Sequence, residues 1–222
     1  MPATTPRIIC FDLGGVIVRI CRSWGQACER AGVPEREPSR FAQPHLARER
    51  RRWAGRHQVG AVSCDEFFAG IAEATDGLYS AEEVRRVHHA WIIEDYPGVE
   101  GVIDRINAAP GVVSACLSNT NHAHWVGMLA LPGGEGHRSP SVQRLEMLGA
   151  SQLLRAAKPG ADIYRHAEAL FGARGPEIVF FDDLEENVSA ARGLGWQAHR
   201  IDHEGDTAGQ IQAELARLGV AI

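Results

Sequence analysis

The chain of 222 residues lacks several things, and each absence narrows what it can be. It has no excess of positive charge: 23 lysines and arginines stand against 28 acids, for a formal charge of -5. That balance offers no overall attraction to nucleic acid or to an anionic membrane, so neither partner is expected. No apolar run exceeds the length of a strand and no basic-then-apolar leader follows Met1, so neither a membrane span nor a secretory signal is read and a cytoplasmic location is expected. The five cysteines, Cys10, Cys21, Cys28, Cys64 and Cys116, include no Cys-x-x-Cys pair, which suits reduced thiols better than a disulfide framework or a zinc site. No internal repeat is evident. What remains, 45% hydrophobic and 23% charged, is ordinary globular composition with enough apolar residues to bury a substantial core.

Short β-rich runs alternate with helical patterns. Arg7 to Leu13, Val112 to Ser118, Glu177 to Asp182 and Gln197 to Ile201 read as strands of a parallel sheet buried on both faces, and Gln152 to Leu154 as a candidate edge strand. Helical patterns run from Val99 to Ala108, Ala161 to Leu170, Glu185 to Gly193 and Thr207 to Leu218. This alternation predicts an α/β fold, a doubly wound, Rossmann-like parallel sheet.

One interval breaks the alternation. From about Cys21 to Tyr96 no convincing strand is found, whereas Ser63-Cys64-Asp65-Glu66 and Ser80-Ala81-Glu82-Glu83 have the form of capping boxes. An all-helical insertion over residues 21–96 is therefore expected in a core made of residues 1–20 and 97–222, with Tyr96-Pro97-Gly98 as the hinge back. The Gly-rich stretch Leu131 to Ser141 reads as a surface loop without catalytic meaning.

Polar groups close the core strands in the order Asp12, Ser118, Lys158 and Asp182-Asp183. Each alone has a plain structural reading as a helix cap or a solvated loop. Together, on one edge of one sheet, they supply a nucleophile, a hydroxyl donor, a cation and an acid pair around one small volume, where open α/β sheets place their ligands.

These residues resemble the motifs of the haloacid dehalogenase-like hydrolase superfamily. Phe11-Asp12-Leu13-Gly14-Gly15-Val16-Ile17 is similar to its first motif, Leu117-Ser118-Asn119-Thr120-Asn121 to its second, Lys158-Pro159 to its third and Phe180-Phe181-Asp182-Asp183-Leu184-Glu185-Glu186-Asn187-Val188 to its fourth. The first and fourth, in order and spacing, carry most of the specificity. The insertion resembles the family's C1 cap, and the motifs look most similar to bacterial sugar phosphatases of the glucose-1-phosphatase type. The resemblance implies a Mg2+-dependent phosphatase of a small phosphorylated metabolite. Asp12 would form an aspartyl-phosphate, splitting one hard displacement into two easier ones. The Asp12 carboxylate, the Gly14 carbonyl and Asp183 would hold Mg2+, with Asp182 acting through water. Ser118 and Asn119 would donate to the phosphoryl oxygens, and Lys158 would hold both Asp12 and the phosphoryl group by charge. Asn187 either orders the metal loop or stabilises the helix after it.

Gly14 departs from the commonest pattern, in which an Asp at that position protonates the leaving group and then activates water. Such assistance is worth about 10²–10⁴-fold, so its loss is felt without abolishing turnover. Three consequences stay open: a leaving group that departs readily, such as an anomeric sugar oxygen, which is the reading preferred here; a substitute acid; or a protein that binds phosphate esters with weak turnover. His122 and His124 are candidate substitutes, and His88-His89 weaker ones, against the simpler reading that they pack on helices. Arg19 and the basic run Arg48, Arg50, Arg51, Arg52 could meet an anionic substrate, although charges on helices are usually solvated. Trp24, Trp53, Phe67, Phe68 and Trp91 either line a pocket or form the core of the insertion.

Two other classes combine similar residues. A signalling receiver domain takes its acid pair from the first strand and its acceptor Asp from a later one, the reverse of the order here. A haloacid dehalogenase would dispense with metal, whereas the adjacent acids Asp182-Asp183 argue for a cation. The oligomeric state is not legible in the sequence.

Overall fold

The computed structural model describes residues 6–222. Five strands, β1 (Ile8–Phe11), β4 (Val113–Ser118), β5 (Met147–Ala150), β6 (Ile178–Asp182) and β7 (Gln197–Arg200), form a parallel sheet; β2 (Val18–Ile20) and β3 (Ile92–Asp95) pair antiparallel outside it. The sheet order is β5-β4-β1-β6-β7, so β1 lies at the centre with Ile8 in register with both Val113 and Ile178.

All four residues of β1 and all five of β6 are buried, as expected for strands covered on both faces. Their side chains alternate between two apolar layers. Ile9, Phe11, Val179 and Phe181 pack with Val102, Ile103, Ile106 and Ile211 from the helices Val99–Ala108 and Thr207–Arg217. Ile8, Cys10, Ile178 and Phe180 pack with Ile163, Tyr164, Val188 and Ala191 from Ala161–Phe171 and Glu185–Gly193 on the other face. Because the strands are parallel, Asp12, Ser118 and Asp182 arrive on the same sheet edge.

The stretch between β2 and β3 carries the helices Trp24–Ala31, Pro38–Phe41, Pro44–Gln58, Cys64–Glu73 and Ala81–His89. They enclose an apolar cluster of their own, built on Cys28, Phe67, Phe68, Ile71, Tyr79 and Val87. Both capping boxes are present: Ser63 accepts from the Glu66 N–H and Ser80 from the Glu83 N–H, and each glutamate reaches back to its cap. The five cysteines are free thiols. Among the described residues no helix is long and apolar enough to cross a membrane.

Two expectations are corrected. The insertion is not wholly helical, because Ile92–Asp95 pairs with Val18–Ile20 to make a short ribbon at its base. Four residues paired across more than seventy others leave no local period to read. Residues 152–154 belong to the helix Ser151–Leu154, and the edge strand is Met147–Ala150 just before it. Gly149 explains the displacement: glycine lowers strand propensity, yet a side chain there would press on the Cys116 carbonyl at 2.9 Å. The Leu131–Ser141 loop is exposed at Leu131, but its far end ties down Asp95, whose carboxylate accepts from His137 Nε2 at 3.0 Å and from the Ser141 N–H at 2.9 Å.

Candidate active site

The ladder of β1 continues one residue past the strand, the Asp12 N–H donating to the Phe181 carbonyl at 2.8 Å. The chain then turns sharply, with Val18 N–H bonded back to the Leu13 carbonyl and Gly15 N–H to the Val18 carbonyl. Gly15 adopts φ +82°, and a side chain on it would collide with the Asp183 carboxylate. The double glycine therefore lets the turn lie directly against the acid pair that ends β6.

Lys158 joins the two strands. Its buried Nζ donates to Asp12 Oδ1 at 3.0 Å and to Asp182 Oδ2 at 2.6 Å. Asn119 fixes the Lys158 backbone from β4's end: its Nδ2 donates to the Lys158 carbonyl and its Oδ1 accepts the Lys158 N–H, both at 2.9 Å. Asp182 is saturated, since Oδ1 also accepts from the Leu184 N–H at 2.9 Å and Asn187 Nδ2 lies 3.0 Å from both oxygens. Asn187 is held in turn by Tyr164, whose hydroxyl donates to the Asn187 carbonyl at 2.9 Å. Asp183 faces outward from this lock and accepts from Arg22 Nη1 at 3.0 Å.

Asp12, Asp182 and Asp183 offer oxygens that all lie within 4.8 Å of one another. Three buried carboxylates beside one buried lysine and a half-exposed arginine leave a negative excess, so the donor set suits a hard divalent cation. Asp12 and Asp183 are the freer ligands, while Asp182 spends its lone pairs on Lys158 and Asn187. Burial lifts the Asp12 carboxyl to about 6, against the lowering pull of Lys158, with the Asp182 charge adding to the rise and Ser118's hydroxyl opposing it. Against the lowering effect of its own burial, Lys158 is held above its ordinary range by Asp12 and Asp182.

A cavity of about 560 Å³ opens between the inserted helices and this sheet edge. Leu13, Gly14, Ser118 and Asn119 line it on the sheet side; Trp24, Phe67 and Trp91 line it from the insertion and its base, as does Arg51. Trp53 instead packs on Gly70, and Phe68 belongs to the insertion's apolar cluster. Arg50 also reaches the wall, with its guanidinium donating to the Phe41 carbonyl at 2.6 Å and lying over the Phe41 ring. Arg52 pairs with Glu49 and Arg48 is exposed. Arg19 pairs with Glu94 at 3.4 Å and lies over Tyr96, which makes it a brace of the β2–β3 ribbon.

The histidines named as candidate substitutes for an acid at Gly14 are engaged by other groups or lie outside the cavity. His122 is exposed and lines a different surface depression with Gln152 and Arg155. His124 Nε2 lies 2.8 Å from the His88 carbonyl, which only an N–H can satisfy, and Nδ1 lies 3.1 Å from Asn121 Nδ2. Both nitrogens are committed, and burial pushes the imidazole down to about 4. His88 stacks on it with ring centroids 4.0 Å apart and is held well below its usual range by burial.

Three residues that the sequence reading passed over matter here. Arg22 reaches Asp183, His57 stacks on Phe67 in the cavity wall, and Ile20 points its Cδ1 to within 3.1 Å of where a Gly14 side chain would begin. One unused signal marked Lys158: it is the only lysine among the 23 basic residues, all others being arginine. A compact ammonium fits between two close carboxylates where a planar guanidinium does not.

Residues 6–195 match the family model described as haloacid dehalogenase-like hydrolase. A Mycobacterium tuberculosis phosphatase is 22% identical over 225 residues, covering 96% of this chain and 95% of that protein. The structure of a HAD family enzyme from Bacteroides thetaiotaomicron, in complex with magnesium and inorganic phosphate, superposes with a TM-score of 0.71 at 20% identity, over 92% of this chain and 98% of that one. L-2-haloacid dehalogenase from Xanthobacter autotrophicus also shares the fold, with a TM-score of 0.60 at 19% identity over 98% and 85%. The fold is thus shared with a haloacid dehalogenase and with an enzyme crystallised with magnesium and inorganic phosphate, and the choice between readings falls to the site.

Proposed function

Because this chain belongs to the haloacid dehalogenase-like hydrolase family, we propose that it is a Mg2+-dependent phosphatase of a small phosphorylated molecule, working through an aspartyl-phosphate on Asp12. The observation that supports this reading is the buried cluster in which one lysine bridges Asp12 and Asp182 while Asp183 brings a third carboxylate oxygen within 4.8 Å of theirs. A metal-independent dehalogenase has no use for that acid pair. Asp12, the Gly14 carbonyl and Asp183 would hold Mg2+, with Asp182 orienting Lys158 beside them. When bound, the cation offsets charge on the phosphoryl oxygens.

Asp12 attacks phosphorus, and Lys158 keeps it ionised and aimed. Ser118 and the Asn119 backbone donate to the phosphoryl oxygens from the end of β4. Water then attacks the acyl-phosphate and returns Asp12 to its carboxylate, releasing inorganic phosphate. Residues 21–96 act as the cap that encloses the leaving group, and residues 6–20 with 97–222 form the core, residues 1–5 of the expected core lying outside the described residues.

Phosphate release from sugar, nucleotide and aryl esters, measured with Mg2+ and with chelator, tests the reading. Release that requires Mg2+ and vanishes in Asp12→Asn supports it. Release that survives either change refutes it, and no release from any ester points instead to a phosphate-ester-binding protein.

A further inference from the structure

Resting on that phosphatase reading, we propose that the substrate is an aryl phosphate: a phosphate monoester whose leaving group is an aromatic alcohol held in the apolar cavity under the inserted helices. Two independent features of the site converge on this class.

The first is the missing acid and what has taken its place. Gly14 has no side chain, and the Ile20 Cδ1 stands 3.1 Å from the point where one would start, so the space that a side chain at position 14 would enter is occupied by hydrocarbon. No imidazole on the cavity wall compensates, because His124 has both nitrogens engaged, His88 Nε2 lies 3.1 Å from Asn121 Oδ1 and His57 Nε2 lies 3.4 Å from Cys64 Sγ; His203, which is not on that wall, has its Nδ1 3.9 Å from Asp183 Oδ2. An ester cleaved here must release its oxygen unprotonated. The Asp12 carboxylate oxygen forms a bond to phosphorus as the phosphorus–oxygen bond to the leaving group breaks, and the electron pair departs with an aryloxide that later takes a proton from water. A phenol, far more acidic than an alkanol, permits this; an alkoxide does not leave readily without a donor.

The second is the wall of the cavity. Val18, Ile20, Trp24, Phe41, Phe67 and Trp91 present rings and methyl groups. Most polar groups among them are already spent: Arg50 on the carbonyls of Phe41 and Ala74, and Asn121, His88 and His124 on one another. A sugar buried here would lose water from its hydroxyls and find few partners in return, whereas a flat ring would meet hydrocarbon and aromatic faces. This moves the expected leaving group away from the anomeric sugar oxygen suggested by the motifs. Arg51 and Gln58, on the same wall, leave room for one polar substituent on the ring.

The test compares kcat/KM with Mg2+ for a series of substituted phenyl phosphates, a phenylalkyl phosphate of similar size and a hexose 1-phosphate. The aryl esters should exceed both others by about 10²-fold or more, with rates rising steeply as the phenol becomes more acidic. Restoring an acid with room to sit, Gly14→Asp combined with Ile20→Ala, should raise the phenylalkyl rate more than the aryl rate. Turnover that is equal on all three classes, or best on the hexose ester, overturns the inference and leaves the phosphatase reading intact. A thermal shift of the Asp12→Asn protein with an aryl phosphonate separates the other failure. A shift without turnover by the wild type refutes the phosphatase reading while supporting the ligand class; no shift and no turnover overturns both.

Discussion

Replacing Asp12 by Asn should stabilise the metal-free protein at neutral pH, although it removes the proposed nucleophile. The Asp12 carboxyl is lifted from 3.8 to about 6, chiefly by burial. A rise of about two pKa units corresponds to about 3 kcal/mol between the two protonation states. The folded chain therefore holds this proton more tightly than the unfolded chain, and stability falls as pH rises between the two values. The cost is absent below the unfolded value and complete above about 6. Asparagine has nearly the same shape, keeps an oxygen for Lys158 and the Leu13 N–H, and carries no charge at any pH. Urea unfolding in chelator across this range should show Asp12→Asn more stable than wild type by about 3 kcal/mol near neutrality, with the gap closing on acidification. Adding Mg2+ should stabilise the wild type more than the variant, because the charge then has a partner. A variant no more stable than wild type at neutral pH, or a gap that widens in acid, would refute the placement of an ionised Asp12 at a net cost to the fold.

Lys158→Met should cost about 3–5 kcal/mol near neutrality, because two buried carboxylates lose their shared counter-charge, and should abolish turnover. Lys158→Arg should also be inactive, and near-wild-type rates in that variant would count against the geometry. Gly15→Ala forces a side chain into a left-handed residue beside Asp183; unfolding should show a loss of more than about 1 kcal/mol, and Mg2+ titration a weaker site. His57, buried against Phe67, is lowered from 6.5 to about 4 by burial, so the unfolded chain takes up its proton first and stability drops as pH falls through that window. His57→Phe should flatten that drop by up to about 3 kcal/mol in acid unfolding curves, and an unchanged slope would contradict the assignment.

The central sheet was legible because strands covered on both faces are nearly continuous apolar runs: β4, β6 and β7 fall within one residue of the limits read from the sequence, and β1 ends two residues short of its expected end at Leu13. The helices Val99–Ala108 and Glu185–Gly193 have the bounds their periodicity implied. The β2–β3 ribbon was not legible, since its pairing is long-range and too short to alternate. The polar residues at the sheet edge could be named from their order along the chain, but not their division of labour. That Asp182 is consumed by Lys158 and Asn187 while Asp183 stays available depends on side-chain directions at the turn. The cavity was least legible of all, because aromatic residues at helical spacing look alike whether they face a pocket, as Phe67 does, or only their neighbours, as Phe68 does. Gly14 and Ile20 lie six positions apart, and only the tight turn between them shows that one fills the space the other leaves.

The central claim, phosphoryl transfer through Asp12, is tested most directly by acid-quenching the protein during turnover of an aryl phosphate with Mg2+ and measuring its intact mass and the peptide that carries the modification. The account predicts one added phosphoryl group on the peptide containing Asp12, labile to hydroxylamine and absent from Asp12→Asn. Turnover with no covalent phosphoryl group during the steady state or a single-turnover burst, or with one on another residue, would contradict it.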